Sequence, residues 1–191
     1  RYPNPKMGLV IAMGSFRKTL QKVFRNINGL NSKLVIGPSD LEYEDYDILF
    51  VDESHRLRKR VNLGPYFSVF DRVCQALSLD KSKTTELAWT QLKSKKALYF
   101  YDPKQSIKPS DVDAYEFDKL KNDPKSINVR LFSQFRVQGG NGYVDFVNQL
   151  LDNNFIDPTY QYSAPNYDVL LFENFSDFVN QLRIKNERHQ L

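Results

Sequence analysis

The chain has 191 residues, 41% hydrophobic and 26% charged, with a formal net charge of +4. That is enough to bury a full core, and the balance is too ordinary for a disordered or low-complexity chain. One cysteine, Cys74, excludes an internal disulfide and a cysteine-built zinc cluster and suits a reducing, cytoplasmic setting. No apolar run approaches the roughly 20 residues of a membrane-spanning helix, and no signal peptide is visible. The mild positive charge permits nucleic-acid binding without demanding it.

In chain order, Gly8 to Met13 reads as a short buried strand ending at Gly14-Ser15. Ser15 can cap a helix with Phe16, Leu20, Val23, Phe24 and Ile27 on one face and Arg17, Lys18, Lys22 and Arg25 opposite, stopped by Asn28-Gly29. Strand, Gly14 and Lys18-Thr19 imitate a phosphate-binding loop. A true loop needs glycine directly before the lysine and another five residues earlier, so that backbone amides can wrap the phosphates. Arg17 and Ala12 hold those places. Their side chains block the wrap.

Leu34 to Gly37 is a further short strand, closed by Pro38-Ser39-Asp40. It leads into the stretch around which the chain is organised, Tyr46 to His55. There Ile48 to Val51 form an unbroken apolar run between Asp47 and the pair Asp52-Glu53. Such a run reads as a strand buried on both faces of a parallel sheet, with its acids at the carboxyl end where α/β sheets place chemistry. Two adjacent carboxylates there suit nucleotide hydrolysis: Asp52 to hold Mg²⁺ through water, Glu53 to orient or deprotonate the attacking water. Arg56 to Arg60 (RLRKR) follow as a basic cluster, read equally as a solvated turn or a nucleic-acid contact.

Pro65 to Leu79 and Thr84 to Leu92 are predicted helices, with Cys74 and Trp89 read as core. Ala97 to Tyr101 is a third strand, followed by Asp102-Pro103-Lys104-Gln105 and a helix that Ser110 can cap. Ile127 to Phe132 is a fourth strand, leading to Gln134-Phe135-Arg136. Gly139 to Gly142 turn into a helix carrying Tyr143, Phe146, Val147, Leu150 and Leu151. Tyr167 to Glu173 is a fifth strand, and Phe175, Phe178, Val179 and Leu182 mark a final helix.

Strands alternating with helices give an α/β fold with a mostly parallel central sheet. Three successive strands then deliver Asp52-Glu53, Asp102/Gln105 and Gln134/Arg136 to one edge. Acids for Mg²⁺ and water, a glutamine for the γ-phosphate and an arginine for the transferred charge are the parts ATP hydrolysis needs.

These stretches resemble superfamily 1-type helicase cores, and specifically the Schlafen group 3-like DNA/RNA helicase domain of bacterial proteins. GLVIAMGSFRKTLQKVF resembles the segment carrying motif Ia, YDILFVDESHRLRKR the Walker B motif, FYDPKQSIKPSD motif III and QFRVQGGNGY motif IV. The resemblance implies a RecA-like P-loop NTPase-type three-layer sandwich, truncated at both ends. It divides into a motor lobe over 1–152 and, over 153–191, a connection or the start of a second lobe. It implies ATP and Mg²⁺ as cofactors, Asp52 as the Mg²⁺ partner, Glu53 as catalytic base, Gln105 as γ-phosphate sensor and Arg136 as a γ-phosphate contact. His55 would couple the ATP site to motif III, and Ser15, Phe16 and Arg17 would lie near single-stranded DNA or RNA. No Walker A loop occurs in the chain; it is expected before Arg1, and the second lobe's later motifs after Leu191. Two other classes compete: a non-catalytic binding module using Arg17 and Arg56 to Arg60, and a nuclease using Asp47, Asp52 and Glu53 with Lys59.

Overall fold

The computed structural model describes residues 4–131, 137–152, 162–164 and 167–189. The chain divides into two compact units, Arg1–Ile127 and Asn128–Leu191. The first is built on four strands, β1 (Met7–Ile11), β2 (Val35–Ile36), β3 (Tyr46–Asp52) and β4 (Ser94–Tyr99). All pairings are parallel, in the order β2-β1-β3-β4. The apolar run of β3 occupies an interior position, where both strand edges are hydrogen-bonded.

Helix α1 (Gly14–Arg25) joins β1 to β2, α2 (Phe67–Ala76) and α3 (Glu86–Leu92) lie between β3 and β4, and α4 (Ala114–Asn122) follows. Alternation along the strands separates two faces. Val10, Leu49 and Val51 point to the main core, which they share with Phe70 and Val73 of α2 and Leu87 and Trp89 of α3. Trp89 is 0% exposed and its ring centroid lies 4.6 Å from that of Phe70, so it is core. Cys74 is buried in the same cluster, and burial pushes its thiol pKa up. Neutral and shielded, it has no thiolate to offer.

On the opposite face α1 is held over β1 and β2, with Gln21 Nε2 donating to the Val35 carbonyl at 2.9 Å. Past α1 this face is partly bare: Leu98 and Phe100 are 46% and 49% exposed. A cavity of about 470 Å³ opens there, lined by Leu9, Phe24, Leu34, Phe50 and Phe100 and reaching Asp52.

Four predicted features differ. Ser15 does not cap α1; Met13 occupies the cap position without a side-chain bond, and Ser15 lies inside the first turn, its carbonyl accepting from Thr19 Oγ1. Ser110 does not cap α4, which begins after Asp113; Ser110 is buried and its carbonyl accepts from Lys59 N. Ile127–Leu131 is not a strand, and Ile127, Val129 and Leu131 are all largely exposed because, among the described residues, no neighbouring strand receives their alternating apolar face. The expected strand over Tyr167–Glu173 shrinks to β6 (Tyr167–Asp168), antiparallel to β5 (Ser163–Ala164) and outside the parallel sheet. The second unit also holds α5 (Gly140–Leu151) and α6 (Phe175–His189). In it the Tyr162 hydroxyl donates to the Gly139 carbonyl at 2.8 Å and its ring meets Tyr143 edge-on.

Gly8 is a tight point of the first unit's core. A Cβ there would fall 2.9 Å from Leu49 Cδ2 and 3.0 Å from Tyr46 Cε1. Gly8→Ala is therefore expected to destabilise the chain by roughly 1–3 kcal/mol through overpacking, read as a lower urea midpoint at unchanged slope.

Candidate functional site

The sheet has a point where chain direction across it reverses. From β1 the chain moves outward to β2, through α1 on one face; from β3 it moves the other way to β4, through α2 and α3 on the other face. The carboxyl ends of β1 and β3 therefore flank a crevice, the usual ligand position in an open α/β sheet. Asp52 sits at that crevice, in register with Ile11.

Backbone bonds carry the order past the ends of the strands. Phe100 N donates to the Val51 carbonyl at 3.0 Å, and both Ser54 N and Ser54 Oγ donate to the Phe100 carbonyl at 2.9 Å. Ser54 is 0% exposed. This knot closes the turn after β3 so sharply that Glu53 takes a left-handed backbone, φ 50° and ψ 45°. Strain of that kind in a residue with a long side chain costs about 1–2 kcal/mol and persists only where its surroundings impose it. Glu53 N donates to Asp52 Oδ1 at 3.0 Å, which fixes the Asp52 carboxylate against the turn.

His55 is buried beneath this turn. Its Nδ1 accepts from Asp102 N at 3.4 Å, which leaves Nε2 as the protonated nitrogen of the neutral ring. Nε2 lies 3.1 Å from Glu53 Oε2. The angles there fall short of a hydrogen bond, so Nε2 is a buried polar atom without one. Asp102 in turn accepts from Lys104 N through Oδ1 and from Gln105 Nε2 through Oδ2, at 3.0 and 2.8 Å. A continuous polar path thus runs from Glu53 through His55 and Asp102 to Gln105, joining the ends of β3 and β4. The sequence reading gathers Asp52-Glu53, Asp102/Gln105 and Gln134/Arg136 on one rim; the first two sets lie at the ends of β3 and β4, and Gln134 lies outside the described residues. Arg136 lies outside the described residues.

Ser15 and Phe16 are exposed in the first turn of α1, beyond the carboxyl end of β1. Arg17 is half-buried: its Nη1 donates to the Ile11 carbonyl at 3.3 Å, and the guanidinium lies against Gly37, where a Cβ would collide with it.

The basic run after the turn is internally matched. Arg56 Nη1 lies 3.8 Å from Asp111 Oδ2, Lys59 pairs with Asp113, and Arg60 Nε bonds Asp71 at 2.6 Å. Arg58 stacks on the Tyr66 ring, whose hydroxyl donates to Glu86 at 2.8 Å. Arg60, with help from Lys81, holds the Asp71 carboxyl well below the usual range. Asp111 also accepts from Ile107 N and Lys108 N, and Val112 N donates to the Leu57 carbonyl, so the end of the DPKQSIKPSD string is laced to the basic run. The sequence showed the cations but not their partners, which lie up to 54 residues away.

Asp47 is at the other end of β3, five residues or about 17 Å from Asp52, bonded to Lys6 N and Lys95. The Asp47–Asp52–Glu53 nuclease set is therefore not assembled, and Lys59 is engaged with Asp113. Among the described residues no group of three His, Cys, Asp or Glu side chains could hold a metal by itself. An Asp52-Glu53 pair still fits Mg²⁺, which is commonly held by one or two carboxylates together with substrate phosphates.

Sequence reasoning missed Glu86. It is buried at the start of α3, with Oε1 accepting from Tyr66 and Oε2 from Arg58 N. Burial pushes its pKa up to about 7. A carboxyl whose pKa is higher folded than unfolded favours the native state below its unfolded value. That advantage is lost as pH rises toward the folded value. Stability is thus expected to fall between about pH 4.5 and about pH 7, by up to about 3 kcal/mol, and Glu86→Gln should flatten that slope in urea titrations.

Comparison with known families gives one match, to Schlafen group 3, DNA/RNA helicase domain, over residues 11–191. No curated protein and no solved structure matches the chain. No helix among the described residues is long and apolar enough to cross a membrane. With the match covering β2, β3, β4 and the Glu53–His55–Asp102–Gln105 path, the chain belongs to the Schlafen group 3 DNA/RNA helicase domain family.

Proposed function

We propose that this chain is part of an ATP-dependent nucleic-acid helicase or translocase, and forms much of a RecA-like motor lobe. The observation that carries the reading is the polar path from Glu53 to Gln105 at the sheet's reversal point, beside Asp52. Asp52 would hold Mg²⁺ through water. Glu53 would orient the attacking water and take its proton, and Gln105 would contact the γ-phosphate, with Arg136 expected to join it. Bound Mg²⁺ would supply charge neutralisation for the transferred phosphoryl group.

His55 would report the state of Glu53 to Asp102, and so to the loop that holds Gln105. Its buried and unbonded Nε2–H is what such a relay requires: a donor kept in place for a carboxylate that swings toward it. Single-stranded DNA or RNA would pass the rim near Ser15, Phe16 and Arg17.

The phosphate cradle is not among these 191 residues, since neither Gly14-Lys18 nor Gly139–Gly142 has the required spacing. The half-exposed edge at Leu98 and Phe100 supports its arrival on a further strand and helix, because a parallel sheet needs cover on both faces. The reading as a non-catalytic module binding through Arg56 to Arg60 is disfavoured, because each of those cations is already matched within the fold.

The test uses the complete protein that contains this domain. Glu53→Gln is expected to lower nucleic-acid-stimulated ATP turnover by at least about 100-fold while nucleotide binding persists. Turnover unchanged by Glu53→Gln would overturn the assignment. The 191-residue chain alone is expected to show negligible turnover.

A further inference from the structure

Two sets of cations in the first unit contrast. Those of Arg56 to Arg60 are engaged: Arg56 by Asp111, Lys59 by Asp113 and Arg60 by Asp71, with Arg58 stacked on the Tyr66 ring. Three of the four on α1 are not. Lys18, Lys22 and Arg25 are exposed, and no described acid lies within ion-pair distance of them. The helix itself contains no Asp or Glu. At spacings of four and three residues the three form one stripe, about 10 Å long by helical rise.

Helix stability does not account for the whole stripe. Lys22 and Arg25 sit in the last turn, where cations complement the helix dipole. Lys18 follows directly on the first turn, with Arg17 before it, at the end where a cation is unfavourable. No capping side chain or acid offsets them there.

We propose that this stripe is a binding surface for the phosphate backbone of nucleic acid, additional to the rim near Ser15, Phe16 and Arg17. Its length is on the order of the span of two to three consecutive phosphates of one strand. It begins just beyond the carboxyl end of β1, next to the rim. Its flanking side chains, Ser15, Thr19 and Asn26, are exposed and polar, suited to phosphate oxygens. The exposed apolar residues of α1, Phe16 and Val23, lie on a different flank, so the basic face has no hydrocarbon to bury in a bilayer. The proposal rests on the nucleic-acid part of the reading above and is independent of ATP hydrolysis.

The test is fluorescence anisotropy of labelled single-stranded DNA and RNA with the 191-residue chain, between about 50 and about 200 mM NaCl. The variant is Lys18→Gln/Lys22→Gln/Arg25→Gln, since glutamine keeps helix propensity. Circular dichroism and thermal unfolding confirm its fold. Loss of three contacts is expected to make the slope of log affinity against log salt shallower by about 2, with at least roughly tenfold weaker binding at the lowest salt. Lys119→Gln/Lys121→Gln/Lys125→Gln removes equal charge elsewhere and should leave the slope unchanged. A wild-type slope in the α1 variant overturns the proposal, as does an equal loss in the control. Stripe-dependent binding to phosphatidylserine vesicles with none to oligonucleotides would overturn it in favour of a membrane surface. Glu53→Gln turnover in the complete protein is untouched by these outcomes, so the stripe and the motor reading fail separately.

Discussion

The arrangement depends on the Phe100 carbonyl. It is the acceptor that both Ser54 N and Ser54 Oγ find, and it lies one residue past the end of β4. Through it the turn after β3 is fixed to the end of β4, although the two segments are 46 residues apart in sequence. A hydroxyl hydrogen bond contributes only about 1 kcal/mol, so its importance is positional. With Ser54 fully buried, no water can replace the partner at low cost. The turn therefore has one geometry, and that geometry puts the Glu53 carboxylate and the His55 ring side by side.

The same economy explains the basic run. Four cations in five residues would repel one another in a solvated loop. Here three of them pair with acids on α2, at the end of the DPKQSIKPSD string and just before α4, and Arg58 stacks on the Tyr66 ring. Each exposed pair adds little by itself. Together they hold the segment after the turn against three neighbours, and a rigid backing of this kind preserves the position of Ser54 and His55. The Glu86 carboxylate is the exception in energy, since burial raises its pKa to about 7 instead of lowering it. Its two hydrogen bonds do not fully offset what burial costs the charged form.

Much of this was legible in the sequence, for identifiable reasons. The three longer strands stand out because a strand in the interior of a parallel sheet is apolar almost without interruption, as GLVIAM and ILFV are, and ALYFY shares the pattern although one of its faces is partly bare. The rim residues followed, because parallel strands deliver whatever succeeds them to one edge. Ile127 to Phe132 and Tyr167 to Glu173 misled, since alternation shows that one face could be buried and says nothing about a partner strand. Leu171 at 100% exposed shows that the second was never covered. The matching of Arg56 to Arg60 was illegible because ion pairs across tens of residues leave no local pattern. Glu86 was illegible for a related reason: an acid one residue past Thr85 looks like ordinary helix-start chemistry, and only the packing of Tyr66 over it shows that it is buried.

Local rules are broken at several points in the first unit, and the breaks coincide. A long acidic side chain adopts a left-handed backbone at Glu53. A buried imidazole nitrogen lacks a hydrogen bond two residues later. An apolar cavity abuts a carboxylate at Asp52. Asn4 and Asn62 also have positive φ, but asparagine tolerates it; Ser78 closes α2, where such a conformation is ordinary. Trp89 and Thr84 carry unbonded polar atoms, yet they are scattered through the core rather than gathered at a rim. Strain, an orphan donor and a half-buried acid within one turn, at the point where the sheet reverses, are costs that packing alone gives no reason to concentrate. Departures from local rules gathered in this way are where functional sites are expected, and Glu53, His55 and Asp52 mark this turn as a candidate without reference to the family match.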